Sequence, residues 1–147
     1  MLSRIRSPAI VLLLVVLGTQ LPFLFQAFHI DDRIYLRVAE NIHQKPLYPY
    51  DYIPLFEGLG APDAASHSHL PLVSYYLALL CWITGSQAEW VLHLGFLVFP
   101  YFGALGFYDL CRRYVRFPLA GACLLIVGPG FLTPSHTLMT DVPFWAL

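Results

Sequence analysis

Long stretches of this chain carry no formal charge at all: Ser7 to Ile30, Ala64 to Ala88, Trp90 to Tyr108 and Phe117 to Thr140. A helix that crosses a bilayer needs roughly 20 predominantly apolar residues, and these gaps are of that order. Only 12% of the 147 residues are charged, whereas a soluble domain carries about 25%. With so few charges, gathered between apolar runs, the sequence predicts an all-α membrane protein. The net charge of −1 provides no basic face of the kind nucleic-acid binding demands, so no nucleic-acid partner is expected. Cys81, Cys111 and Cys123 lack CxxC or Cys/His spacing and lie in or beside apolar segments, so they read as packing residues.

The first apolar segment, 8–28, comes after Arg4 and Arg6 and carries Pro22 near its far end. It outruns the ~7–15-residue core of a cleaved signal peptide, and Gln26-Ala27-Phe28 is a poor small-x-small cleavage site. The expectation is an uncleaved anchor with its arginines in the cytoplasm. The polar stretch 29–69 comes next, holding Asp31, Asp32, Glu40, Asp51, Glu57 and Asp63. Within it, 31–44 reads as an amphipathic helix. Ile34, Val38 and Ile42 recur at i, i+4 and i+8 with Tyr35 and Ala39 beside them, opposite Arg33, Arg37, Glu40 and Gln44. Asp31 or Asp32 is a natural N-cap, and acid in a first turn suits the helix dipole. Lys45-Pro46-Leu47-Tyr48-Pro49-Tyr50 is extended or turn, and Gly58, Gly60 and Pro62 continue the loop.

Charge decides the topology of the segments after this loop. The apolar segment 71–84 has only about fourteen helical residues after Pro71, which suits an interfacial helix better than a span. Arg112, Arg113 and Arg116 form the densest basic cluster and belong in the cytoplasm. They reach it if 71–84 lies along the outer surface, 90–108 runs inward and 117–132 returns outward. A further apolar run begins at Val142 and stops within six residues of sequence, as expected of the truncated N-terminal part of a longer protein. The expected architecture is a polytopic transmembrane helical bundle with interfacial helices at 31–44 and 71–84 in its first outer loop.

This topology gathers three features on the outer face: Asp31-Asp32, His67-Ser68-His69-Leu70-Pro71-Leu72, and Met139-Thr140-Asp141-Val142-Pro143. Acids at a membrane edge are costly to place and are functional candidates by default. Such carboxylates can accept a proton from an attacking hydroxyl or amine, an effect of roughly 10²–10⁴-fold. A departing phosphate needs a cation, for which Arg33, Arg37 and Lys45 are at hand. Carboxylate with histidine is also a plausible divalent-metal set, with no ligands singled out. Blander readings stand beside these. Asp31-Asp32 and Thr140-Asp141 are good cap sequences, His67 and His69 are ordinary loop residues, and Tyr48, Tyr50, Tyr52, Tyr75 and Tyr76 suit an interfacial aromatic belt.

The order of these pieces resembles the membrane glycosyltransferases of the GT-C fold, most closely the lipid-linked-sugar transferases related to protein O-mannosyltransferases and aminoarabinose transferases. The resemblance rests on Asp31, Asp32, Tyr35 and Ala39 as Asp-Asp-x-x-Tyr-x-x-x-Ala, and on Tyr48-Pro49-Tyr50. It continues with His69-Leu70-Pro71-Leu72 before Tyr75-Tyr76-Leu77-Ala78-Leu79-Leu80, and with Thr140-Asp141-Val142-Pro143. Family members commonly have Asp-Glu where this chain has Asp31-Asp32, and His-Pro-Pro-Leu where it has Leu70 in place of the first proline.

The resemblance implies transfer of a sugar from a polyprenyl-phosphate donor to a lipid, glycan or protein acceptor on the outer face of the membrane; separately, a bacterial inner membrane is the expected location. It makes Asp31 the catalytic base, Asp32 its partner and Asp141 a second acidic position. Tyr35, Arg37 and His69 are the substrate-binding candidates, with a divalent metal ion unassigned. The same acids fit a non-catalytic transporter or carrier component that binds an ion or substrate at its outer face. That reading expects broken helices at mid-membrane and inverted repeats, and no repeat is visible in the sequence.

Overall fold

Among the described residues every regular element is helical and no strand occurs. The structure is a computed structural model that describes residues 3–29, 32–50, 71–138 and 140–146, without the side chains of residues 3–7 and Trp145. In chain order the elements are α1 (Ser3–Gln20), a 3-10 turn (Leu21–Phe23), α2 (Asp32–Gln44), α3 (Leu72–Thr84) and α4 (Glu89–Phe96). They continue with α5 (Val98–Tyr114), α6 (Pro118–Val127), α7 (Pro129–Ser135) and α8 (Asp141–Ala146).

Proline sets several of these boundaries. α1 stops at Gln20, short of the expected 28, where Pro22 removes a backbone donor and the chain tightens into the 3-10 turn. Pro100 likewise cannot donate to the Phe96 carbonyl, and the chain between α4 and α5 relaxes at Leu97. The two nevertheless run on as one apolar rod of 26 residues, Glu89–Tyr114. At about 1.5 Å per residue it exceeds the ~30 Å hydrocarbon layer. Among the described residues it is the one helix long and apolar enough to cross a membrane, and it contains the expected segment 90–108. Arg112 and Arg113 occupy its last turn, where the partial negative charge of the helix end favours cations.

The apolar stretch 117–132 is not one helix. Pro129 drives the residue before it into an extended conformation, and Gly128 sits at φ −67°, ψ 136°. α6 and α7 are therefore bent by 56° at this point, and they have the length of a span only if taken together. The apolar parts of α1 (Pro8–Phe23) and α3 are shorter still.

Packing obeys the amphipathic pattern of α2. Tyr35 and Ala39 join Val73 and Leu77 of α3, Leu92 and Phe96 of α4, and Leu138 in one buried cluster. Ile34, Val38 and Ile42 bury a neighbouring stripe against Tyr50 and Tyr75. The Tyr76 hydroxyl donates to the Gly95 carbonyl at 2.8 Å, fastening α3 to α4. A separate cluster of Leu12, Val16, Ala104, Ala122 and Ile126 holds α1, α5 and α6 together, its alanines allowing close approach. α3 ends at Gly85, whose φ of 63° is left-handed and whose N–H returns to the Cys81 carbonyl at 2.8 Å. The outward faces stay apolar, with Leu14, Trp82, Phe102 and Leu124 exposed.

Candidate functional site

Asp32, at the start of α2, is 1% exposed. Its Oδ2 accepts the His29 main-chain N–H at 2.8 Å. Its Oδ1 accepts the Leu138 main-chain N–H at 2.9 Å. Both donors lie outside α2, so these bonds tie the helix to other parts of the chain, whereas a cap would serve the helix's own first-turn amides. Burial pushes the Asp32 carboxyl above its ordinary range, while the His29 and Leu138 amides and the imidazoles of His93 and His29 pull the other way. Ionised, the carboxylate makes charge-assisted bonds, about twice as strong as neutral ones.

Leu138 lies in the connection between α7 and α8, two residues before the Thr140-Asp141-Val142-Pro143 sequence. Its bond to Asp32 therefore brings the first acidic motif and the last into one region. Asp141 is exposed in the first turn of α8, and the turn closes with the Phe144 N–H on the Thr140 carbonyl at 2.9 Å. Val142 is buried at 3% exposure, anchoring this end of α8.

The remaining candidates are placed differently. Asp31 and His69 lie outside the described residues, as do His67, Ser68, Leu70 and Tyr52. Tyr35 is 7% exposed and packs inside the α2–α3–α4 cluster. Arg37 is half-buried on α2 and Arg33 is exposed. The tyrosines beyond α2 serve as ties: the Tyr75 hydroxyl donates to the Pro46 carbonyl, while Asn41 donates to the Tyr48 and Pro49 carbonyls at 2.9 and 3.0 Å.

A recess of about 490 Å³ opens between the C-terminal halves of α2 and α3, lined among others by Glu40, His43, Gln44, Cys81, Trp82 and Gln87. It begins at Leu36, about one turn along α2 from Asp32. Burial, reinforced by the Glu40 carboxylate, pushes the Cys81 thiol up, which keeps it protonated as a packing residue. Among the described residues no three His, Cys, Asp or Glu side chains converge as a metal site. The two expected donors Asp31 and His69 are not among those residues.

Sequence reasoning missed a polar junction beside Asp32. Gln20 at the end of α1 donates to the Ser135 hydroxyl at 2.6 Å in a buried contact. His93 Nδ1 meets the Leu24 carbonyl at 3.1 Å, and the His136 ring stacks on Phe23 with centroids 3.8 Å apart. Counting formal charges passes over glutamine, serine and neutral histidine, so segments that looked uninterrupted hold buried polar groups. The signal was present in the sequence, since buried polar side chains in apolar runs must find partners. Comparison with protein families, curated proteins and solved structures finds no match for this chain.

Proposed function

We propose that this chain belongs to a polytopic membrane glycosyltransferase of GT-C type, which transfers a sugar from a polyprenyl-phosphate donor to an acceptor on the outer face of a bacterial inner membrane. The bond between Asp32 and the Leu138 amide carries this reading. It joins the Asp31-Asp32 segment to the Thr140-Asp141-Val142-Pro143 segment, the two acidic motifs on which the resemblance depends.

Each oxygen of Asp32 already accepts a main-chain N–H, so Asp32 is a positioning residue and proton acceptance falls to Asp31. The acceptor oxygen attacks the anomeric carbon and its proton passes to the Asp31 carboxylate. The bond from that carbon to the phosphate oxygen breaks, and polyprenyl phosphate leaves with the electron pair. Arg37 and His69 are the groups proposed to meet the developing phosphate charge. Asp141, exposed at the start of α8, supplies the second carboxylate. Tyr35, buried in the core, supports α2 from behind.

One observation favours the transporter reading: the 56° bend between α6 and α7, since transporters use broken helices. Asp32 and Asp141 stand at helix starts, which supports the enzyme. The test is Asp31→Asn in the full-length protein, assayed for transfer of a labelled sugar from its polyprenyl phosphate. Transfer should fall by at least ~10²-fold with membrane insertion retained; undiminished transfer would remove Asp31 as the base. A cysteine beside Arg113 should be labelled only from the cytoplasmic side; labelling from outside would mean that 71–84 spans, and would move Asp141 away from Asp31.

A further inference from the structure

Two histidines that the acidic site does not use face the same small space. His93 of α4 is 7% exposed. Its Nδ1 lies 3.1 Å from the Leu24 carbonyl, an oxygen that can only accept, so Nδ1 carries the proton and Nε2 is a bare lone pair. That Nε2 is buried without a hydrogen-bond partner. His136, just past α7, offers a second such atom: Phe23 stacks on its ring, and its Nε2 is likewise buried and unpartnered.

Both imidazoles line one cavity of about 10 Å³, together with Gln20 and Ser135. Gln20 and Ser135 are occupied with each other at 2.6 Å, and the Ser135 hydroxyl donates onward to the Leu132 carbonyl at 2.7 Å. Among the described residues the two Nε2 atoms are the buried side-chain acceptors left without a partner beside the cavity. One water needs roughly 10–15 Å³ and two or more polar partners. Two lone pairs require an occupant that donates two hydrogens, and water has two O–H donors. A divalent cation would need further ligands, and among the described residues no third His, Cys, Asp or Glu converges there.

We propose that one buried water bridges His93 Nε2 and His136 Nε2, and that this bridge positions the Leu138 amide on Asp32. His136 stands two residues before Leu138 in the same connection, and His93 of α4 lines the same cavity. The bridge locks α4 to the segment that carries Leu138, so His93 and His136 are positioning residues for the acidic motifs. Its consequence for sugar transfer rests on the function proposed above; the bridge itself rests on the cavity.

The test uses the full-length protein in lipid nanodiscs with ring-¹⁵N histidine. Both Nε2 nitrogens should resonate as unprotonated acceptors in contact with water, and a protonated Nε2 on either ring would overturn the bridge. So would one equivalent of bound metal by elemental analysis. His93→Leu and His136→Leu should each speed Leu138 amide exchange roughly tenfold, the scale of one lost buried hydrogen bond. The double variant should exchange no faster than either single one; additive effects, or none, would refute the coupling. Should a leucine variant fail to fold, His93→Gln, which keeps an acceptor, should restore slow exchange, and fast exchange there refutes the proposal equally. Absence of sugar transfer by the unsubstituted protein alongside slow Leu138 exchange would sink the enzyme reading and leave the water bridge standing.

Discussion

The Leu138 main-chain N–H donates to Asp32 Oδ1 at 2.9 Å across 106 positions of sequence. The second oxygen of the same carboxylate holds the His29 N–H. One side chain at the start of α2 thus fixes two backbone segments that have no secondary structure of their own to hold them. The order of the acidic region depends on a buried group whose charge is costly to bury.

Replacing Asp32 tests that dependence. Asp32→Ala leaves two buried N–H groups without acceptors, which should cost about 2–4 kcal/mol. Asp32→Asn keeps one carbonyl oxygen but turns an NH2 group towards the other N–H, and should cost about 1–3 kcal/mol. Reversible unfolding in mixed micelles measures both, with Arg33→Ala on the exposed side of α2 as reference. An Asp32→Ala protein as stable as the Arg33→Ala protein would show that the two bonds contribute nothing.

The protonation of Asp32 gives a pH signature. Burial raises its carboxyl above the ordinary 3.8, so the folded chain holds this proton more tightly than the unfolded one. The stability this group confers is complete below 3.8 and is lost as pH rises through the folded value. Unfolding measured as a function of pH should therefore show stability falling as pH rises above 3.8, a slope that Asp32→Asn abolishes. A slope of opposite sign would mean that the His29 and Leu138 amides outweigh burial.

Gly85 is the position where backbone conformation alone decides the residue. Its φ of 63° ends α3, and a Cβ there meets no atom within 4 Å. Gly85→Ala should cost about 1 kcal/mol through left-handed strain only. Gly85→Asn should cost less, because asparagine tolerates this region. Equal losses for the two variants would point to a steric cause and away from the backbone.

These relationships differ in how far the sequence discloses them. The apolar rows of α2 were legible because a period of 3.6 is a local property, and Ile34, Val38 and Ile42 are buried as their spacing predicts. The rod containing 90–108 was legible from its lack of charge. The bend at Gly128 was available in Gly128-Pro129 but was hidden by the hydropathy on either side. Tyr35 entered as a substrate contact through its place in a motif, while its position beside the apolar row already marked it for the core. The bonds from Asp32 to Leu138 and from Gln20 to Ser135 join residues that no periodicity relates. They are set by how the helices pack, and packing is not written in any one segment.

Asp141 offers the sharpest contrast with Asp32. Both are acidic residues in the first turn of a helix, yet one is buried and bonded and the other is exposed. Removing charge from an exposed first turn weakens a helix by about 0.3–1 kcal/mol, so Asp141→Asn should unfold close to the wild-type midpoint. If Asp141 belongs to the proposed site, the same substitution should lower sugar transfer by roughly 10²-fold. The combination of near-normal stability with lost transfer separates a chemical role from a structural one, which Asp32 variants cannot do because they disturb both. Transfer at the wild-type rate would exclude Asp141 from the site. A stability loss as large as that of Asp32→Ala would instead make it a second latch in the fold.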